Sequence, residues 1–490
     1  MGQDVENREF SREDRTLYRA KVRRCLDVFA RMLTECDFSV SEPLIGLEIE
    51  FNLVDAEGDP AMTSAETLAA IADEDFQNEL GLYNVEINVP PHSMRGDGLA
   101  RLEDVVRADL DAAEARAAEI GSHLVMVGIL PTVRQEHFRR EVISANPRYH
   151  LLSDQIIAAR GEDIEIVIDG VERLATTADT IIPEAACTST QLHLQVEPEH
   201  FAATWNAAQA IAGVQIAVGA NSPFLLGRRL WHETRIPLFE QATDTRSEEL
   251  KVQGVRPRVF FGERWITSVF DLFEENVRYF PALLPIVDDE DPVAELAAGR
   301  PPSLPELRLH NGTVYRWNRP IYDLVDGRPH LRVENRLLPA GPSVVDTLAN
   351  AALFYGLVTT LARSDRPVWT QLPFEAASEN FYRAAQGGIE TEVFWPDVGE
   401  VPVRDLLLRH LLPLAAQGLD ELGADASVRD RLLGVIEQRC VTGRNGATWQ
   451  TAEFERRGGV GDRDGAMRAM VRRYRELMHS GDPVHAWPHS

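Results

Sequence analysis

The run Leu47-Glu48-Ile49-Glu50-Phe51, inside the stretch GLEIEFNLVD at 46–55, alternates apolar and acidic side chains. A period of two is the mark of a strand with one face in the core. Residues 45–54 are therefore predicted as a β-strand with Glu48 and Glu50 together on its other face. Positions two apart on a strand lie about 6.6 Å apart along it. Three more segments repeat the pattern. Val85-Glu86-Ile87-Asn88-Val89 offers Glu86 and Asn88, with Glu79 just upstream. Gln191-Leu192-His193-Leu194-Gln195 offers two amides and a histidine. Arg332-Val333-Glu334-Asn335-Arg336 offers Glu334 between two arginines.

A polar strand face is ordinarily just wet, and for any one of these segments solvation explains the alternation. The residue types argue otherwise, because Glu and Asn are depleted in strands. Carboxylates stacked on one face also repel unless a cation sits between them. Four such segments together point to a site for divalent cations held by carboxylate oxygens, and Mg²⁺ is the natural occupant. One histidine among acids suits Mg²⁺ or Mn²⁺ better than zinc, which favours more nitrogen or sulfur ligands. Two or more such ions bridge ATP phosphates in γ-phosphoryl transfer, and Arg336 suits a clamp on the transferred group. A carboxylate that takes the phosphoryl becomes an acyl phosphate, from which an amine displaces phosphate.

Composition narrows the alternatives. The chain has 490 residues, 44% hydrophobic and 26% charged, which is ordinary for a globular protein. Its formal net charge of −27 disfavours nucleic acid and anionic membranes as partners. Lys21 and Lys251 are its only lysines, so no Walker A motif exists, and phosphate charge must be met by metal ions and arginine. The polar lead MGQDVENREFSREDR has no apolar core of a signal peptide, and Glu6 stands where a myristoylation signal has Ser or Thr. No transmembrane helix is predicted, the longest apolar candidate (211–226) being broken by glycines, Asn221 and Pro223. With four scattered cysteines and no CxxC pair, a cytoplasmic chain without disulfide or zinc scaffold is expected.

Periodicity predicts helices over 15–36, 65–74, 97–120, 147–160 and 199–218, then 344–363, 374–386, 403–421, 427–439 and 464–479. Strands are predicted at 45–54, 82–90, 123–131, 189–197, 312–317 and 329–338, with a hairpin at 163–174 turning on Asp169-Gly170. The rest of 228–343 reads as irregular. Strands scattered between helices in hairpin-like pairs give an α+β class, one antiparallel sheet with helices on one side.

Five stretches carry a resemblance to a known family: GLEIEFNLVD (46–55), ELGLYNVEINVPPH (79–92), TQLHLQV (190–196), ANSPFLLGR (220–228) and RVENRLLPAG (332–341). In order and character they resemble the glutamate–cysteine ligase family, within it the bacterial type 2 carboxylate–amine ligases. The resemblance implies a glutamine-synthetase-like catalytic fold, a curved antiparallel sheet forming a funnel with helices packed on its outer face. It implies one catalytic ligase domain over 1–490, a metal- and ATP-binding core at 44–345 and a mostly helical part at 346–490. It further implies two or three Mg²⁺ ions held by Glu48, Glu50, Glu79, Glu86, His193 and Glu334, with Glu334 and Arg336 in the catalytic role. The implied partners are ATP, L-glutamate or a related carboxylate, and an amine such as L-cysteine. Leu47 stands where the family often has a third acid, and Gln191 and Gln195 flank a single His193 where it often has more histidine. Those departures leave the acceptor amine open.

Arg235 and Arg319, with the cluster His310-Asn311-Gly312-Thr313 and the run Tyr315-Arg316-Trp317-Asn318, are further candidates for anion or substrate binding. Asn221 reads as a left-handed helix cap or a site residue, Cys187 as an inert buried thiol, and Trp231, Trp265, Trp317 and Trp369 as core. Glu184 is left open. Two rival readings stand beside the ligase: a small-molecule kinase on the same scaffold, and a binding protein that keeps the fold without turnover.

Overall fold

In the computed structural model, which describes residues 9–40, 42–459 and 461–488, the first eight residues of the polar lead lie outside the described part. The strand around Glu48 and Glu50 runs Leu44–Val54 (β1). Its sheet partners are Phe76–Asn78 (β2), Asn84–Ser93 (β3), His123–Val125 (β4), Thr190–Gln195 (β5), Asn318–Val325 (β6) and Arg328–Asn335 (β7). Their order is β6-β7-β5-β1-β3-β2, with β4 paired to the far end of β1, and every pairing is antiparallel. The sheet curls into a half-barrel, as a seven-stranded twisted antiparallel sheet tends to.

One face of the sheet is the core. Ile45, Leu47, Ile49, Phe51, Val85, Ile87, Leu192, Leu194, Leu331 and Val333 are all buried, as the alternation requires. Beneath them lies the helix Val344–Ala362, packed against Pro198–Ala210, Leu412–Glu421 and Ala426–Thr442. It is long and apolar enough to cross a membrane, but 94% of that window is buried within the protein, so it serves as the core helix. The Tyr355 hydroxyl on this helix donates to the carbonyls of His193 (3.1 Å) and Gly46 (3.3 Å), tying it to the centre of the sheet.

The stretch 228–343, read as irregular, holds the helices Arg235–Ala242, Glu248–Val252, Val269–Tyr279, Pro292–Ala297 and Pro305–Asn311, and three predicted elements differ. The strand at 123–131 ends at Val125, because the Val127 carbonyl is taken by the side chains of Asn52 and Thr188 rather than by a neighbouring strand. The helix at 199–218 breaks at Ile211 (ψ 0°) into Pro198–Ala210 and Ala212–Gly219. Gly213 sits at that break because a Cβ there would lie 2.8 Å from the backbone of Asn380. The strand at 312–317 is only a short pair, Tyr315–Arg316 with Val259–Phe260, while the sheet strand is the unpredicted β6. β6 turns into β7 through Asp326-Gly327, both at positive φ (51° and 74°), a hairpin dipeptide with the required left-handed preference.

Candidate active site

Antiparallel register sets the polar residues side by side. Arg319 faces Glu334, Glu334 faces His193, and His193 faces Gly46, a row across four strands. One step along, Gln191 faces Glu48 and Glu48 faces Asn88. Further on, Glu50 faces Glu86, and Glu86 faces Gln77. Gly46 is where the row needs no side chain, since a Cβ would press to 3.3 Å on His193. Apart from Gly46 and His193, the residues of these rows line a cavity of about 520 Å³.

Two groups of carboxylates follow. In the first, Glu48, His193 and Glu334 bring ligand atoms within 4.8 Å of one another. His193 Nε2 lies 3.1 Å from Glu48 and 4.0 Å from Glu334, yet is buried with no aligned hydrogen-bond partner. Burial would raise both acids, but His193 draws Glu48 below its ordinary range. Arg319 and Arg336 hold Glu334 well below its own, against the same burial. Arg319 binds Glu334 with two hydrogen bonds, at 2.5 and 3.0 Å, and Arg336 approaches it at 3.3 Å.

The second group is Glu50, Glu79 and Glu86, again within 4.8 Å. Here burial and mutual repulsion prevail. Glu86 is pushed well above its ordinary value by burial and then by Glu48 and Glu79. Burial and Glu50 push Glu79 up to about 7. Burial also raises Glu50, against the opposing charge of Arg336. Three acids that resist joint ionisation, beside an orphaned ring nitrogen in the first group, are a donor set suited to divalent cations.

Arginines surround the acids. Arg336 donates to the Gln191 side-chain oxygen, and Gln191 Nε2 donates to Glu50 Oε1 at 3.0 Å, so one amide links arginine to carboxylate. Arg235 also lines the cavity, but its donors reach Glu233 (3.1 Å) and the carbonyls of Arg336 and Leu337. It braces the backbone that carries Arg336. Arg332 Nε donates to His193 Nδ1 at 3.1 Å.

Several candidates sit elsewhere. His310 is buried with Nε2 2.8 Å from the Asn276 carbonyl, and Arg316 is buried against Glu275 at 3.0 Å. Of that cluster only Asn311, Gly312 and Arg319 line the cavity. Asn221 is not a left-handed cap: it is fully buried and bonds Ala340, Tyr474 and Gln450 through its side chain. Cys187 lines the cavity with its thiol pushed well above the ordinary value by burial, which leaves it no nucleophile. Trp317 is core, while Trp231, Trp265 and Trp369 are partly buried against it. Sequence reading missed Arg148, Tyr149 and Arg308, which reach the cavity from helices whose periodicity points elsewhere.

Comparison with known proteins identifies the family and the fold. The sequence model of glutamate–cysteine ligase family 2 matches residues 44–472. No curated protein sequence matches. Among solved structures, the glutamate–cysteine ligase of Francisella tularensis in complex with AMP superimposes with a TM-score of 0.53 at 12% identity. That match covers 91% of this chain and 90% of the other. A bifunctional glutathione synthetase from Pasteurella multocida gives 0.51 at 10% identity, covering 95% of this chain and 55% of that one. At such identities the likeness is one of fold.

Proposed function

The chain belongs to glutamate–cysteine ligase family 2, and from that premise we propose that it joins a carboxylate to an amine using ATP, through an acyl phosphate. The observation that carries the reading is the pair of acidic groups on the floor of one arginine-lined cavity. Glu48, His193 and Glu334 would hold one divalent cation, and Glu50, Glu79 and Glu86 a second. Bound there, Mg²⁺ supplies charge neutralisation for the ATP phosphates and for the phosphoryl group in flight.

The chain's own residues do the rest. Arg336, held by Gln191 and Glu334, presents a fixed guanidinium to the γ-phosphoryl group. Arg319 keeps Glu334 ionised and oriented. The donor, read as the γ-carboxylate of L-glutamate, takes the phosphoryl with loss of ADP. The amine then attacks the carbonyl carbon, the C–O bond to phosphate breaks, the nitrogen gives up a proton to the departing phosphate, and an amide forms. Holding donor and acceptor in one cavity makes that second step effectively intramolecular. Four free cysteines suit work in a reducing cytoplasm.

The test is ADP release with L-glutamate and a panel of amines, products read by mass spectrometry. Amide formed in step with ADP is the expected result. A phosphorylated product without need of an amine makes the protein a kinase, and no nucleotide turnover with any amine makes it a silent binding protein.

A further inference from the structure

Asn221 and Glu233 are fully buried, and neither lines the cavity. Every polar group of Asn221 is engaged. Its Nδ2 donates to the Ala340 carbonyl at 2.7 Å and to the Tyr474 hydroxyl at 2.8 Å. Gln450 Nε2 donates to its Oδ1 at 2.8 Å and to its carbonyl at 3.1 Å, while its own N–H donates to Glu233 Oε2 at 2.8 Å. The other oxygen of Glu233 accepts from Arg235 Nε at 3.1 Å, and Arg235 Nη2 reaches the carbonyls of Arg336 and Leu337. A buried amide and a buried carboxylate outside the cavity thus converge on the stretch 336–340, one end held through Arg235 and the other directly.

That stretch follows β7 and begins with Arg336. On one side it runs beside residues 188–190, the Thr190 N–H donating to the Leu338 carbonyl (3.0 Å) and the Ala340 N–H to that of Thr188 (3.2 Å). The carbonyls of Arg336, Leu337 and Ala340 are met instead by the side chains of Arg235 and Asn221. Behind Asn221 stand the helices Gly446–Arg456, which carries Gln450, and Arg463–Met478, which carries Tyr474. Gly446 lets the first of them seat closely, because a Cβ there would overlap Asn221 Oδ1. Tyr474 is itself locked. Its hydroxyl donates to the Met126 carbonyl at 2.7 Å, and its ring meets Trp449 and Trp487 edge-on, with centroids 5.9 and 5.1 Å away.

We propose that Asn221 and Glu233 are positioning residues for Arg336, and that the helices of Gln450 and Tyr474 act on the phosphoryl step through them. The assignment rests on the ligase reading above and deepens it. An arginine clamp is effective because it is fixed before charge develops on the phosphoryl group. Play of about 1 Å at the Arg336 backbone would therefore slow the step even while ATP and metal still bind. The guanidinium is held by Gln191 and Glu334, the backbone by Arg235, and Arg235 by Glu233. Glutamine at position 233 would offer one acceptor oxygen where the Asn221 N–H and the Arg235 Nε–H each need one. One of the two grips must then open.

The experiment pairs hydrogen–deuterium exchange, which needs no turnover, with steady-state ADP release. In Glu233→Gln the amides of Arg336 and Ala340 should exchange at least about tenfold faster than in wild type, with β1 and β3 unchanged. With L-glutamate and the amine of the panel that gives most amide, kcat should fall about ten- to a hundredfold while the KM for ATP moves less than about twofold. Tyr474→Phe, which loses one hydroxyl, should move exchange and kcat the same way by about threefold or more, and it carries the test if Glu233→Gln does not fold. In an Arg336→Ala background neither substitution should lower kcat further by more than about twofold, because no clamp is left to position. Losses that multiply with that of Arg336→Ala, wild-type kcat in both variants, or unchanged exchange at 336–340 overturn the positioning role. A wild-type protein that releases no ADP overturns the ligase reading instead, while exchange still judges the grip on 336–340.

Discussion

Arg332 donates its Nε–H to Nδ1 of His193 at 3.1 Å, across the pairing of β7 with β5. Guanidinium does not give up its proton, so Nδ1 must be the ring's acceptor. A neutral His193 then carries its proton on Nε2, the nitrogen that faces Glu48 at 3.1 Å. That nitrogen can ligate a cation only if the ring proton moves to Nδ1 and Arg332 lets go. Arg332 has somewhere to go, since Asp323 lies 3.7 Å from its Nη1 and it already lines the cavity. Arg332→Met should tighten Mn²⁺ binding by about tenfold in titration calorimetry, the worth of a charge-assisted hydrogen bond no longer broken. Arg332→Lys, which keeps the charge but not the fixed N–H, should tighten it less. Weaker binding in both would mean that His193 is not gated by Arg332.

Glu50 ties the second acidic group to the segment that carries Ser189 and Gln191. It accepts from Gln191 Nε2 and from the backbone and hydroxyl of Ser189, and it faces Glu86 across the strand pair. Glu50→Gln keeps the shape and removes a charge that repels Glu79 and Glu86. ADP formation dependent on Mg²⁺ should fall at least about a thousandfold, as for loss of a charge-stabilising group in a dry site. The melting temperature of the metal-free protein should hold or rise. Wild-type turnover in this variant would remove Glu50 from the metal site.

Much of this arrangement was legible because period-two alternation fixes which residues share a face. Glu48, Glu50, Glu86, His193 and Glu334 lie on one face of one sheet, and their apolar neighbours lie in the core. The pairing partners were not legible, because register depends on contacts between strands distant in sequence. β6 escaped notice since Pro320 and polar residues blur its alternation, although Asp326-Gly327 marked its turn. Asn221 misled for a related reason. An Asn after a helix suggests a left-handed cap, and only the tertiary structure reveals its bonds to Ala340, Tyr474 and Gln450.

Metal-free protein should lose stability as pH rises. Burial and neighbouring acids hold Glu79 protonated to about 7 and Glu184 to about 8, while both titrate near 4.5 in the unfolded chain. Between those values the folded state binds more protons than the unfolded state. Stability present at pH 5 is therefore lost as pH climbs through 7 and 8. Thermal melts in EDTA should drop by several degrees from pH 5.5 to 8.5, and Mg²⁺ should reverse the drop most strongly at the alkaline end. Glu79→Gln should flatten the profile. A melting temperature that climbs with pH in EDTA would contradict the raised values.

Arg336 offers the sharpest separation of charge from geometry. Its Nη1 reaches the Gln191 oxygen and lies 3.3 Å from Glu334, while Arg319 independently holds Glu334 with two hydrogen bonds. Removing Arg336 therefore leaves Glu334 paired, and the fold should stand with a modest loss in melting temperature. The phosphoryl group would lose its fixed guanidinium, and kcat for ADP formation should fall by about a hundred- to a thousandfold in Arg336→Ala. Arg336→Lys restores one positive charge but cannot reach both Gln191 and the phosphoryl oxygens with a planar fork. It should recover less than a tenth of the wild-type rate. Full recovery by lysine would mean that charge alone suffices, and an unaffected alanine variant would place the phosphate contact on another arginine of the cavity, such as Arg319.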